Sequence, residues 1–162
     1  MDFVKGKIEG VIVSRLVRNL DERGFLMETF RADTLPKGLR PAMSYISMTE
    51  PGIARGPHEH SGQTDMFVFP GPGTFKIVLW DNREKSPTRS SRMVLFGGSD
   101  DPIAIIVPPG VVHAYRNISR TVRGMVLNYP DTLYAGRGKN EPVDEIRHEV
   151  DKDPFFLDFL QA

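Results

Sequence analysis

Gly52-Ile-Ala-Arg-Gly-Pro-His58-Glu-His60-Ser-Gly-Gln-Thr-Asp65 decides how the rest of this sequence is read. Two of the four histidines stand one residue apart, and a carboxylate follows them. Side chains alternate with period two on an extended strand, so His58 and His60 project from one face. A barrel of strands can aim such a pair at one interior point. A third histidine, His113, lies in Pro108-Pro-Gly110-Val-Val-His113-Ala-Tyr-Arg-Asn117, which reads as a matching second half.

Outward from these stretches, Gly and Pro punctuate short runs rich in Val, Ile and Phe, the pattern of an all-β chain. Strand character marks residues 10–17, 25–30 (after the turn Asp21-Glu-Arg-Gly24), 42–49, 65–69, 74–80, 93–96, 103–107 and 122–127. In 74–80, Phe75, Ile77 and Leu79 share one face while Val78 and Trp80 share the other, so this strand is expected at the centre of a sheet. Residues 31–39 have room for one helical turn, ended by Pro36. Many short antiparallel strands at this spacing predict a barrel or a double-sheet jelly roll. From Asp131 the chain becomes charged and is expected to be mostly irregular. Its final Asp153-Pro-Phe-Phe-Leu-Asp-Phe-Leu is apolar enough to pack on the domain or on a partner subunit. No repeat or linker divides residues 1–162, which are read as one domain.

Composition narrows the function. With 21 basic and 21 acidic residues the formal net charge is zero, so no strong field invites nucleic acid or a membrane surface. There is no cysteine, which removes disulfides and thiolate metal sites. The opening Met-Asp-Phe-Val-Lys-Gly-Lys lacks the basic-then-apolar run of a signal peptide, and a cytoplasmic location is the expectation.

The two histidine stretches resemble the paired motifs of the cupin superfamily. The second agrees at Pro108, Gly110, His113 and Asn117. The first agrees at Gly52, His58 and His60 and ends at Gly71, with Asp65 in place of the usual glutamate. The resemblance implies a double-stranded β-helix, and a metal set of His58, His60, Asp65 and His113. Neutral imidazoles with a carboxylate suit a borderline divalent ion such as Fe, Mn, Ni or Zn.

A narrower resemblance spans nearly the whole chain. Asp21-Glu-Arg-Gly-Phe-Leu-Met-Glu-Thr-Phe30, Gly52 to His58, Gln63, Trp80-Asp-Asn-Arg83, Ser86-Pro-Thr88, Pro108 to His113, Ile118-Ser119 and Tyr134 follow the order of the dTDP-4-dehydrorhamnose 3,5-epimerases. That family implies a cupin homodimer that needs no cofactor, acting on a nucleotide-linked 4-keto-6-deoxy sugar by removing a proton α to the ketone. It casts His58 as base and Tyr134 as acid, with Arg23, Glu28, Arg55, Gln63, His113 and Asp81 binding substrate. A tail carboxylate would orient His58, and Asp151, Asp153 and Asp158 are all candidates.

At one point the sequence departs from that family. A lysine that stabilises the enolate is expected two residues after Gln63, where this chain has Asp65. An anion there opposes the chemistry, and a divalent ion would restore the missing positive charge. His58 cannot be base and ligand in the same state. Two other readings stand beside the epimerase: a metal-dependent cupin of another class, such as a dioxygenase or small-molecule isomerase, and a catalytically silent sugar-nucleotide-binding protein.

Overall fold

The computed structural model describes residues 2–161. After β1 (Val4–Lys5) and β2 (Ile12–Arg15), a hairpin of β3 (Arg18–Asp21) and β4 (Gly24–Met27) stands apart as its own two-stranded sheet. The body follows as β5 (Tyr45–Thr49), β6 (Ala54–Glu59), β7 (Asp65–Phe69), β8 (Thr74–Asp81), β9 (Ser91–Gly98), β10 (Ile103–Val107), β11 (Val111–Asn117) and β12 (Gly124–Asn128). The tail adds β13 (Ile146–Arg147) and helix α1 (Pro154–Gln161).

These strands form two sheets, ordered β1-β9-β8-β11-β6-β13 and β2-β10-β7-β12-β5. All pairings in them are antiparallel except β1 with β9. This is the expected all-β, double-sheet jelly roll. Alternation fills the space between the sheets: Phe75, Ile77 and Leu79 of β8 and Val111 and Tyr115 of β11 meet Phe67 and Phe69 of β7 and Ile103, Ile105 and Val107 of β10. Each such side chain, fully buried, contributes roughly 1.5–3 kcal/mol. Strand β8 is internal to its sheet and buried on both faces, as its apolar pattern predicts.

The tail is more ordered than its sequence suggests. Asp153 accepts the amides of Phe155 and Phe156, and Pro154 takes the first helical position, where a missing N–H costs nothing. Helix α1 then lays Phe155 and Phe159 against Trp80 and Val78 on the outer face of β8. Asp158 anchors the contact, accepting from Trp80 Nε1 at 2.8 Å and pairing with Arg92 at 2.7 Å. The helical turn expected within 31–39 does not form. Two separate turns take its place, closed by Thr34 N to Arg31 O and Leu39 N to Pro36 O. No helix among the described residues is long and apolar enough to cross a membrane.

Candidate active site

His113 continues the inward column of β11, between Val111 and Tyr115, and Asp65 starts the inward column of β7, ahead of Phe67 and Phe69. The two sheets therefore supply one donor each at the same end of the core. His58 on β6 pairs directly with His113 on β11. Between that pair and the next, Tyr115 with Arg55, the register slips by one residue. The bulge falls at Gly56, whose φ of 78° suits glycine, and a Cβ there would lie 2.5 Å from the His113 carbonyl oxygen. Bulges re-aim side chains, and this one turns His58 and His60 inward.

The result is a compact cluster. His58 Nε2 lies 3.0 Å from His113 Nε2, and Asp65 Oδ2 lies 3.1 Å from His60 Nε2 and 3.4 Å from His113 Nε2. All four donor atoms fall within 4.8 Å of one another. Ligand bonds of about 2.0–2.2 Å put neighbouring ligands roughly 3.0–3.5 Å apart. The His58–His113, His60–Asp65 and His113–Asp65 separations match edges of such a coordination sphere.

Hydrogen bonds also fix which ring nitrogens point inward. A carbonyl can only accept, so His113 Nδ1–H donates to Val111 O and His60 Nδ1–H donates to Asp144 O. Both rings then present an Nε2 lone pair towards Asp65. The other carboxylate oxygen, Oδ1, is held by Gln63 Nε2 at 2.9 Å and Asn128 Nδ2 at 2.8 Å, which turns Oδ2 to the histidines. Buried Oδ2 has no aligned hydrogen-bond donor among the described residues. A buried, unpartnered carboxylate oxygen set among three imidazole nitrogens is a donor set that a divalent metal fits.

Charge follows the same geometry. Burial, then the neighbouring His113 and His60 rings, push His58 down to about 2, so it stays neutral. Burial also lowers His113. For His60 burial acts downward too, but the Asp65 carboxylate outweighs it and the net shift is upward. Burial works against the Asp65 charge, yet His60 and His113 hold it below the usual carboxylate range.

Above the cluster opens a cavity of about 1230 Å³. Its lining includes His58, His60, Arg55, Gln63 and Tyr134, all named from the sequence, together with Tyr45, Tyr115 and Phe67. Arg55 is braced by Thr49 Oγ1 and the Met48 carbonyl, and Tyr134 is 56% exposed at the rim.

His113, also named for binding substrate, is buried beneath the cavity and not in its lining, and three further sequence-derived candidates are not brought to it within the chain. Arg23 pairs with Asp21, and Glu28 with Arg31, on the exposed β3–β4 hairpin and just after it. Asp81 is closed off at the end of β8, where Arg83, Ser86 and Thr88 surround its carboxylate. Burial there opposes the charge, but those donors hold Asp81 well below its usual range. None of the three tail carboxylates named from the sequence is bonded to His58. Asp153 bonds to His148, Asp158 serves Trp80 and Arg92, and Asp151 is exposed. Lys76 shares the outer face with Val78 and Trp80, away from the cluster. Sequence reasoning missed Asn128, Tyr45 and Asp144, which meet the site only through long-range folding.

The sequence pattern that defines the dTDP-4-dehydrorhamnose 3,5-epimerases matches residues 5–136, which include all four clustered residues and Tyr134. The chain is 38% identical over 128 residues to the probable low-salt glycan biosynthesis epimerase Agl13 of Haloferax volcanii, covering 78% of this chain and 81% of that protein. It is 35% identical over 116 residues to the spore coat polysaccharide biosynthesis protein SpsL of Bacillus subtilis, covering 70% and 74%. The crystal structure of a dTDP sugar isomerase from Desulfovibrio desulfuricans G20 superposes with a TM-score of 0.77 at 26% identity, over 92% of this chain and 88% of that one. By sequence and by fold, the chain belongs to the dTDP-4-dehydrorhamnose 3,5-epimerase family.

Proposed function

We propose that this protein epimerises a nucleotide-linked 4-keto-6-deoxy sugar at a carbon α to the ketone, with metal assistance. The observation that carries the metal part is the convergence of His58, His60, Asp65 and His113 beneath the cavity. A divalent ion held by those four residues would supply the positive charge that the enolate oxygen needs, in the place where the family's lysine is replaced by Asp65. With His58 as a ligand, the hydroxyl of Tyr134 at the cavity rim would exchange the proton on one face of the sugar, and solvent in the cavity would exchange the proton on the opposite face. Arg55, braced on Thr49 and Met48, offers its charge to the diphosphate or the sugar. Gln63 holds Asp65 and is itself held by Thr132, while Phe67 and Tyr115 wall the floor against water.

The same proposal includes a homodimer and a cytoplasmic location. The β3–β4 hairpin exposes Leu20 at 78% and Leu26 at 66%, too much apolar surface for a free arm. Packed on a second copy, that hairpin would carry Arg23, with Glu28 beyond it, towards the partner's cavity.

A second reading keeps His58 as a metal-free base, favoured by its place in the cavity lining. The same burial that lowers it to about 2 opposes its taking a proton. One experiment separates the two. Protein purified without chelator is incubated in D₂O with dTDP-4-keto-6-deoxyglucose, before and after metal removal, with light scattering on the same sample. Ring deuteration that vanishes with the metal and returns with Mn, Fe, Ni or Zn supports the metal-assisted epimerase. Undiminished exchange after metal removal favours the His58 base, absence of exchange under all conditions sinks the epimerase, and a monomer removes the dimer.

A further inference from the structure

In the neutral ring, His60 presents an Nε2 lone pair inward when its Nδ1–H is taken by the Asp144 carbonyl, and the Gln63 side-chain amide, 3.2 Å from that Nε2, favours the same form. The other neutral tautomer has an obvious attraction. An Nε2–H would point to the unpartnered Asp65 Oδ2, 3.1 Å away, and close the cluster on itself. Something must hold the Asp144 carbonyl in place to prevent this. The surrounding tail offers little: residues 137–143 are exposed and β13 is only two residues long.

The Asp144 side chain supplies the hold. Its carboxylate accepts three consecutive amides of the loop that follows His60: Ser61 N at 2.8 Å on Oδ1, and Gly62 N at 2.8 Å and Gln63 N at 3.0 Å on Oδ2. Charge-assisted bonds of this kind are roughly twice as strong as neutral ones. They tie the tail to the loop within one residue of the carbonyl that His60 needs, and fix the backbone of Gln63, whose side chain holds Asp65.

We propose that Asp144 is a positioning residue for the pocket: by gripping the Ser61, Gly62 and Gln63 amides it sets its own carbonyl against His60 and selects the tautomer whose Nε2 faces Asp65. Its effect on metal affinity rests on the metal-assisted reading, but its effect on the tautomer does not. Replacing Asp144 with alanine removes the grip while leaving the carbonyl in the chain. Asparagine keeps one acceptor oxygen and turns an NH₂ against the remaining amides, so it retains part of the hold.

The test uses metal-free protein with ¹⁵N-labelled histidine, in which NMR reports the protonated ring nitrogen of His60, followed by calorimetric titration with Co²⁺. At a pH where the ring is neutral, wild type is expected to hold the Nδ1–H form. Asp144→Ala should shift His60 towards Nε2–H and weaken Co²⁺ binding about 10–100-fold, the usual penalty for losing a group that orients a ligand. Asp144→Asn should fall between, and it carries the test if the alanine variant fails to fold by circular dichroism. An unchanged His60 tautomer in the folded variants overturns the proposal. A tautomer shift in a protein whose wild type binds no Co²⁺ supports the positioning role and removes the metal reading instead.

Discussion

His58, Glu59 and His60 are consecutive, yet alternation sends them into two clusters with opposite balances of imidazole and carboxylate. Inside the barrel three imidazoles share one carboxylate. On the outer side Glu59 meets one imidazole, His148, whose Nε2 lies 3.1 Å from it and whose Nδ1 lies 2.9 Å from Asp153. Asn82 adds a second partner for Glu59 at 2.7 Å, and the Phe155 ring packs against His148 at 4.8 Å. Both ring nitrogens have an acceptor there, and Glu59, then Asp153, raise His148 above its ordinary value against the pull of burial. The outer cluster is complete in itself and ties the tail to β6. The inner one sets a buried, unpartnered carboxylate oxygen among three imidazoles, a donor set that fits a divalent cation. The ratio of the groups, not their kind, separates a structural tie from a site.

The sharpest way to break this contrast is Asp65→Asn. Asparagine keeps an oxygen for the Gln63 and Asn128 amides and turns an NH₂ to the lone pairs of His60 and His113. The inner cluster would then satisfy itself without a cation. Activity should fall about 10²–10³-fold, the usual loss when one source of transition-state charge stabilisation is removed, and divalent binding should go with it. Stability should hold or rise by about 1 kcal/mol, the net worth of a hydrogen bond gained. Steady-state kinetics beside urea unfolding measure both. A joint loss of activity and stability would mean that the inner cluster, like the outer, is a tie.

His148→Gln tests the other side. Glutamine can reach one carboxylate but brings no charge, and it leaves Glu59 buried with Asn82 as its remaining partner. Breaking a buried pair from one side costs about 3 kcal/mol, read as a lower urea midpoint at pH 6. The turnover of the folded protein should stay within about twofold of wild type. Lost turnover at unchanged stability would place His148 in the chemistry and dissolve the distinction.

Much of this was legible in the sequence because its signals are local. Strands β7 and β10 coincide with the apolar runs 65–69 and 103–107, since Gly and Pro corners bound them on both sides. The inner cluster was legible too: a His-x-His pair, a carboxylate on the next strand and a histidine after a Pro-x-Gly turn are fixed spacings on a period-two structure. The outer cluster joins residues 89 apart and leaves no periodicity to read. Helix α1 carried a signal that the aromatic run obscured, an Asp-Pro pair at its start, and eight residues are too few for helical periodicity to stand out. Arg23 and Glu28 match the family's pattern, but one chain does not bring them to its own cavity.

The smallest expected effect is a difference in pH dependence, and it tests whether the outer tie is ionic. His148 has its pKa raised in the folded protein, so folding favours its charged form. That contribution is present in full below the unfolded value of about 6.5 and is lost as pH rises through the folded value. The groups facing the ring are the Glu59 and Asp153 carboxylates and the Phe155 ring, with Asn82 bonded to Glu59 behind them. The stability gap between wild type and His148→Gln should therefore be widest near pH 6 and narrow towards pH 9. Urea unfolding at the two pH values reads it directly. A gap that stays constant would mean that His148 ties the tail by shape and neutral hydrogen bonds alone. The excess of carboxylate around it would then have no electrostatic consequence, and the ratio of imidazole to carboxylate would lose its meaning on the outer face.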